Sequence, residues 1–119
     1  MFRQILARVQ EEAEGVDAAV VLGYDGIAVE QVGTLASDEQ TQLLFVELAR
    51  LLREMRQTAE LLEVGAVQEV SLTCTERQFL FLPLSGEYFA LLLLSSAACS
   101  GKARYLLKRE ALALRQALQ

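Results

Sequence analysis

The stretch of the sequence that comes nearest to catalytic chemistry is Ser100-Gly101-Lys102-Ala103, a Gly-Lys pair between a predicted buried strand and a predicted helix. A phosphate-binding loop places its Gly-Lys at such a junction, where backbone N–H groups and the lysine hold the phosphates. That loop also needs a glycine at position 96 and a hydroxyl after the lysine to bind magnesium. The chain has Ser96 and Ala103 instead. We therefore expect no nucleotide site here, and expect Lys102 to begin the last helix.

Other groups that could carry catalysis are scarce. The chain has no histidine, which removes the most common general base and every histidine-containing metal site. Adjacent carboxylates occur at Glu11-Glu12 and Asp38-Glu39, but neighbours on a helix point in different directions, so we expect solvated or capping roles. Asp25 lies in an Asp-Gly turn, where local hydrogen bonding accounts for it. The residue types predict no catalytic residue, cofactor site or metal site, and hence a protein that is not an enzyme.

The two cysteines, Cys74 and Cys99, lie too far apart in the sequence to suggest a zinc site. The sequence carries no secretory signal pattern, so we expect a reducing, cytoplasmic environment and free thiols. We interpret both cysteines as small buried apolar residues without a chemical role.

Length and composition predict a single domain spanning residues 1-119 that associates with itself. The hydrophobic fraction of 53% is high for 119 residues, so part of the apolar surface is expected to face another chain. The net charge of −5 argues against nucleic acid or an anionic membrane surface as a partner. No apolar run reaches the ~20 residues that a spanning helix needs, so we expect no membrane insertion and a soluble protein.

The hydrophobic pattern predicts the order helix, two strands, long helix, three strands, helix. The predicted elements are a helix ending at Gly15, strands Val16 to Leu22 and Ile27 to Val32, a helix from a Ser37 cap to Glu63, strands Val67 to Cys74, Phe79 to Leu84 and Tyr88 to Leu94, and a helix from Lys102 to Leu118. Pro83 lacks a donor, so we expect an interrupted ladder or a bulge there. We predict an α+β sandwich: a five-stranded antiparallel sheet with the long helix on one face and both terminal helices on the other.

The long helix carries more apolar residues than one sheet-facing stripe explains. The stripe expected to cover the sheet is Leu44, Leu48, Leu51, Leu52, Met55, Ala59 and Leu62. A second, mixed flank contains Phe45, Val46 and Ala49 beside Gln42, Arg53 and Arg56. This flank is either a set of scattered surface apolar residues or a helix-to-helix seam with a partner.

Several short segments, taken in order, resemble one known family. They are Gly15 to Leu22 (GVDAAVVL), the turn Asp25-Gly26-Ile27-Ala28, the capped long helix, the three-strand meander and Gly101-Lys102-Ala103-Arg104. In this order the chain resembles the Roadblock family of dynein light chains and bacterial Ras-like GTPase regulators, the gliding-motility regulator in particular. The resemblance covers essentially the whole chain, and the order of elements carries most of it.

The resemblance implies a homodimer and a non-catalytic role in signalling, cell polarity or motility. The third strand would pair with its copy, placing Val67, Glu69, Ser71 and Thr73 in the interface, and the long helices would pack side by side, which would use Phe45, Val46 and Ala49. The implied partner is a small Ras-like GTPase whose nucleotide cycle or location the dimer modulates. Gln42, Arg53 and Arg56 are the expected partner-binding residues.

A different class of function shares this predicted architecture. Five-stranded antiparallel sheets with flanking helices also form small-molecule-sensing regulatory domains. Such a domain needs polar groups that converge in an apolar pocket, and the sequence offers few. We therefore favour the interaction surface over the ligand site, and place an enzyme third.

Overall fold

The computed structural model describes residues 1–35 and 38–119 and has the predicted order of elements. These are α1 (Phe2–Glu12), β1 (Val16–Gly23), β2 (Ala28–Gly33), α2 (Glu39–Leu62), β3 (Val70–Thr73), β4 (Arg77–Pro83), β5 (Tyr88–Ser95) and α3 (Ser100–Ala117). The strands form one antiparallel sheet in the order β2-β1-β5-β4-β3. The predicted fold class is confirmed.

The sheet has a separate apolar cluster on each face, because side chains alternate along its central strands. On one face Val21 and Leu92 pack with α1 and α3. On the other face Val20 and Leu91 pack with α2. Since β1, β5 and most of β4 are covered on both sides, they are continuously apolar, as the sequence led us to expect.

The turn between β1 and β2 fixes the position of α2 over the sheet. Asp25 accepts a hydrogen bond from the N–H of Ile27 at 3.0 Å through Oδ1, and Gly26 has a φ of 88°. A Cβ on Gly26 would lie 2.8 Å from the Cα of Val46. The turn therefore needs glycine both for its conformation and for the close approach of α2.

Several helix boundaries differ from the predicted ones, and the last helix begins at Ser100 rather than at Lys102. The predicted cap Ser37 lies outside the described residues, and Asp38 caps α2 by accepting a hydrogen bond from the N–H of Thr41 at 2.9 Å. This contact lowers the pKa of the Asp38 carboxyl. The first helix ends at Glu12 rather than at Gly15, because Ala13 is already extended and the chain has begun to turn into β1.

Strand β3 is shorter than the predicted Val67 to Cys74, and Pro83 explains why. In the β3–β4 register, facing residues have numbers that sum to 151, and every second pair is hydrogen-bonded, as Leu72–Phe79 and Val70–Phe81 are. The next hydrogen-bonded pair toward the start of β3 would be Gln68 with Pro83. Proline has no N–H to donate, so the ladder cannot continue. Residues 64–69 consequently lie outside any strand, and Pro83 ends β4. This confirms the interrupted ladder and corrects the extent of the third strand.

Candidate self-association surface

The free edge of β3 presents backbone groups that no neighbouring strand uses. The N–H of Cys74 donates to the carbonyl of Arg77 at 2.9 Å, which makes these two a hydrogen-bonded pair. Hydrogen bonding alternates along an antiparallel strand, so Leu72 and Val70 bond to β4. The N–H and C=O groups of Ser71 and Thr73 must then point away from the sheet, and continuing the alternation adds Glu69. Of the four predicted edge residues, Ser71 and Thr73 therefore present backbone groups along β3 itself, Glu69 lies one position before the strand begins, and Val67 lies farther from it.

An incompletely covered apolar surface borders this edge on the α2 side of the sheet. Val70 and Leu72 are half-buried and pack against the cluster beneath α2. A second flank of α2 carries further half-buried or exposed apolar residues: Leu44, Leu51, Met55 and Leu62. At 100° per residue along the helix, these four lie 240–280° from Phe45. Leu62 is 66% exposed. A contiguous surface of this kind next to an unpaired strand is typical of an interface with another chain.

The predicted helix flank requires a correction. Phe45 and Ala49, expected at the partner interface, are 3% and 0% exposed and belong to the chain's own core. With Leu48 and Leu52 they form an i, i+3, i+4, i+7 stripe, and the small side chain of Ala49 lets the helix approach the sheet closely. Only Val46, at 43% exposure, remains accessible, and it lies against the β1–β2 turn. The helix is rotated from its predicted orientation, so the surface of α2 open to a partner is the Leu44, Leu51, Met55 and Leu62 flank.

On the other side of the sheet, Glu69 joins the start of β3 to α3. Its carboxylate lies 3.1 Å from Arg104 Nε and accepts a hydrogen bond from Lys108 Nζ at 3.2 Å. The Arg104 contact has poor hydrogen-bond geometry, so it acts as an ion pair by proximity. These ion pairs lie beside the edge and leave the backbone of Glu69 free for another strand.

The opposite edge of the sheet, along β2, is partly occupied. Arg3 reaches from α1 and donates to Glu30 Oε1 at 3.0 Å and to the carbonyl of Gln31 at 3.3 Å. A charged side chain on an edge strand discourages pairing with another strand. The β3 edge is therefore the better candidate for self-association.

The structure separates the predicted partner-binding residues. Arg53 Nη1 donates a hydrogen bond to the Tyr24 carbonyl, and the guanidinium of Arg56 lies 4.4 Å from the centroid of the Tyr24 ring. The same ring packs against Phe89 at 5.0 Å. Gln42 lies elsewhere, in a cleft beside β2. The two arginines hold the β1–β2 turn against α2, an internal role that the sequence did not indicate.

Tyr24 is almost completely buried by this arrangement. Its hydroxyl has no hydrogen-bond partner among the described residues. Burial raises the pKa of Tyr24, and the nearby Arg56 cation opposes that shift.

Neither cysteine is buried, which corrects the interpretation of both as core residues. Cys74 follows the last residue of β3 and Cys99 precedes α3, and both positions are exposed. The loop before α3 is held by Gln78, whose Nε2 donates to the carbonyls of Ser95 at 3.1 Å and Ala98 at 3.1 Å. This buried amide, another residue that sequence reasoning missed, explains the loop shape without a phosphate.

Residues 1–35 and 38–119 lack two kinds of feature. This part of the chain has no group of three or more potential metal ligands. It also has no helix long and apolar enough to cross a bilayer.

Comparison with solved structures places this geometry among known proteins. The chain is 35% identical to MglC from Myxococcus xanthus over 97% of each chain, with a TM-score of 0.70. It also matches a Roadblock/LC7 domain from Streptomyces avermitilis at 15% identity, covering 97% of this chain and 95% of that one, with a TM-score of 0.86. Myxococcus xanthus MglB matches at 14% identity over 98% and 96% of the two chains, with a TM-score of 0.85. No family model and no curated protein matches the chain.

Proposed function

The chain belongs to the Roadblock/LC7 family, and from this premise we propose that it is a non-catalytic homodimeric adaptor that binds a small Ras-like GTPase in the cytoplasm. In this role it modulates the nucleotide cycle or the location of the GTPase. The observation that carries the proposal is the free β3 edge together with the half-exposed apolar flank of α2 beside it. Family membership supports a small Ras-like GTPase as the kind of partner that such a dimer would serve.

The unused backbone groups favour one register for the dimer. A two-fold axis at Ser71 pairs Ser71 with its copy and Glu69 with Thr73 of the other copy, so each edge residue finds a hydrogen-bonding partner. Moving the axis by one residue, to Val70 or Leu72, instead sets Thr73 opposite Val67 or Glu69 opposite Thr75, so one of the three no longer pairs within the set. We therefore place the axis at Ser71.

This register also suits the side chains on the α2 face. It sets Val70 of each copy opposite Leu72 of the other, so the dimer has two such pairs. Val70 and Leu72 are each half-buried in the single chain. Apolar pairs that face each other across antiparallel strands each add about 0.2–1 kcal/mol. Facing residues share a side of the sheet, so both α2 helices lie on one surface, where the flank of Leu44, Leu51, Met55 and Leu62 on each could cover its counterpart.

The proposed action on the GTPase is indirect. An arginine supplied in trans can accelerate GTP hydrolysis, but Arg53 and Arg56 both contact Tyr24 within the same chain. They are consequently poor candidates for insertion into another active site. A dimer that binds one arrangement of the switch loops better than another would still shift the nucleotide cycle by its difference in affinity.

The dimer is tested first. Sedimentation velocity should give twice the monomer mass at micromolar concentration. Ser71→Pro should weaken the dimer because it deletes a donor at the centre of the pairing. Ser96→Pro serves as the matched substitution away from the edge, because Ser96 is exposed and is the second residue of the turn closed by the hydrogen bond from the N–H of Ala98 to the carbonyl of Ser95, a turn position that accepts proline.

GTPase binding is tested next with the purified dimer and a purified small Ras-like GTPase loaded with GDP or with a non-hydrolysable GTP analogue. Biolayer interferometry should show binding that differs between the two nucleotide states. Ser71→Pro should reduce binding if the partner contacts both subunits. If the dimer binds none of the small GTPases of the source cell in either nucleotide state, the GTPase part of the proposal is wrong. The homodimer part is unaffected by that result.

A further inference from the structure

A cleft of about 700 Å³ opens where the β3–β4 ladder ends. Its walls are the C-terminal half of α2, residues 65–67 and the β4–β5 turn at 83–85. The cleft exists because Pro83 stops the ladder, so that the chain before β3 is not hydrogen-bonded to β4. It therefore lies directly beside the proposed dimer edge.

The charges at this end of the molecule are incompletely paired. Arg53 and Arg56 line the cleft and are held against Tyr24, whereas Glu60 and Glu63, which also line it, form no ion pair with any described basic side chain. At the other end of β3, Arg77 forms no ion pair with a described acidic residue. Glu63 and Arg77 are both exposed. Each is thus available to a charge from another molecule.

The proposed dimer register brings these two ends together. With the axis at Ser71, facing residues sum to 142, so Cys74 of the second copy lies opposite Gln68. The tight turn that follows Cys74 then extends alongside residues 66–67, the outer wall of the cleft. Antiparallel pairing repeats this contact at both ends of the seam.

Arg77 is on the correct face of the sheet for this contact. Phe79 packs into the cluster beneath α2, and Arg77 is two residues before it on the same strand. Residues two apart on a strand share a face, so the Arg77 side chain projects on the α2 side. Glu63 ends α2 on that side, with a left-handed backbone at φ 55° that starts the chain toward the cleft wall.

We propose that Arg77 of one copy forms an ion pair with Glu63 of the other, and that the β3–β4 turn of the second copy closes the outer side of the cleft. This inference rests on the proposed homodimer and identifies a contact that selects for a second copy of this chain. A related chain with an acidic residue at position 77 would place like charges against Glu63 and pair less well.

The test is a charge-swap cycle on dimer dissociation measured by sedimentation equilibrium. Arg77→Glu and Glu63→Arg should each raise the dimer Kd, and the double variant should return it to within about threefold of the original. Each exposed ion pair is worth about two- to fivefold in the dimer Kd, and symmetry supplies two pairs, so each single variant should raise the Kd by about 4- to 25-fold. The effect should shrink at 1 M salt, where the Debye length is about 3 Å.

Two variants with the same changes of charge serve as controls. Lys102→Glu and Glu11→Arg alter exposed residues away from the cleft and should leave the Kd within about twofold, since exposed charges more than a Debye length apart are largely screened. All of the variants change exposed side chains, and circular dichroism will verify that each folds.

The outcomes separate this inference from the function on which it rests. The ion pair alone is overturned if the wild type is dimeric and neither charge reversal changes the dimer Kd. It is also overturned if the double variant has a higher dimer Kd than either single variant. A monomeric wild type overturns both the ion pair and the homodimer.

Discussion

The register of the proposed dimer can be read directly with the chain's own exposed cysteine. Cys74 is expected to lie opposite Gln68 of the other copy, so Gln68→Cys in a Cys99→Ser background should create two symmetric disulfides across the seam. Across the proposed seam between the two copies, even-numbered residues form the non-hydrogen-bonded pairs, whose Cα atoms are about 4.5 Å apart. Disulfides need Cα atoms roughly 4.4–6.8 Å apart, so the predicted pair falls within reach.

The same arithmetic excludes the neighbouring registers. Shifting the axis by one residue displaces the facing position by two residues, or about 6.8 Å along the strand. The Cα separation at 68 and 74 would then be about 8 Å, beyond what a disulfide can bridge without movement of the backbone. Ala66→Cys and Val70→Cys report those two registers, because each would face Cys74 in one of them.

The assay is mild oxidation at micromolar protein followed by non-reducing electrophoresis. The Gln68→Cys chain should cross-link into dimers fastest, and the Ala66→Cys and Val70→Cys chains more slowly. The single Cys74 of the Cys99→Ser background should scarcely react, since its two copies are about six residues, or 20 Å, apart along the seam. Faster reaction at position 66 or 70 would refute the Ser71 axis. Failure at every position in a dimeric protein would refute pairing through β3.

Three further predictions concern residues inside or near the single chain. The unfolding free energy of Tyr24→Phe, measured in urea, should equal that of the original chain at pH 8 and exceed it at pH 11. Burial raises the pKa of Tyr24, so the original chain loses stability as pH rises through that pKa, whereas phenylalanine does not titrate. An equal dependence of the two unfolding free energies on pH would contradict this. Arg56→Ala should cost about 0.5–1 kcal/mol of unfolding free energy through the lost ring contact and leave GTP hydrolysis at saturating dimer unchanged, whereas a fall by about 10³ would indicate an arginine finger. Cys74→Ala and Cys99→Ser should each change unfolding free energy by less than about 0.5 kcal/mol and preserve partner binding, because both side chains are exposed, and loss of binding in a folded variant would point to thiol chemistry.

The order of helices and strands could be predicted from the sequence because each kind of element has its own pattern of apolar residues. The strands at the centre of the sheet are apolar throughout, the helices repeat at 3–4 residues, and turns carry Asp-Gly or Ser-Gly. The element order also supported the family resemblance, and a solved structure at 35% identity confirms the family.

The orientation of α2 could not be predicted because two apolar stripes overlap on it. Leu48 and Leu52 belong to both, so the sequence could not decide whether Phe45 or Leu51 joins them beneath the helix. The contact of Val46 with Gly26 favours the rotation that buries Phe45, and that contact depends on how the turn and helix meet in three dimensions. The exposure of Cys74 likewise depends on where β3 ends.

The extent of β3 is a similar case. Pro83 signalled an interruption, but its consequence for Gln68 required the strand register, which sequence alone does not supply. The internal contacts of Arg53 and Arg56 with Tyr24 depend in the same way on the packing of a turn against a helix. What was missed is therefore tertiary in origin.

The contact of Arg3 with the β2 edge affects the size that assemblies of this chain can reach. A sheet with two receptive edges would let each added copy offer another, and strands could add without limit into a fibre. In the proposed dimer a two-fold pairing uses the β3 edge of both copies, and the opposite edge carries a guanidinium on its backbone carbonyl. Growth by strand addition should then stop at two subunits, which would keep a strongly apolar chain from polymerising.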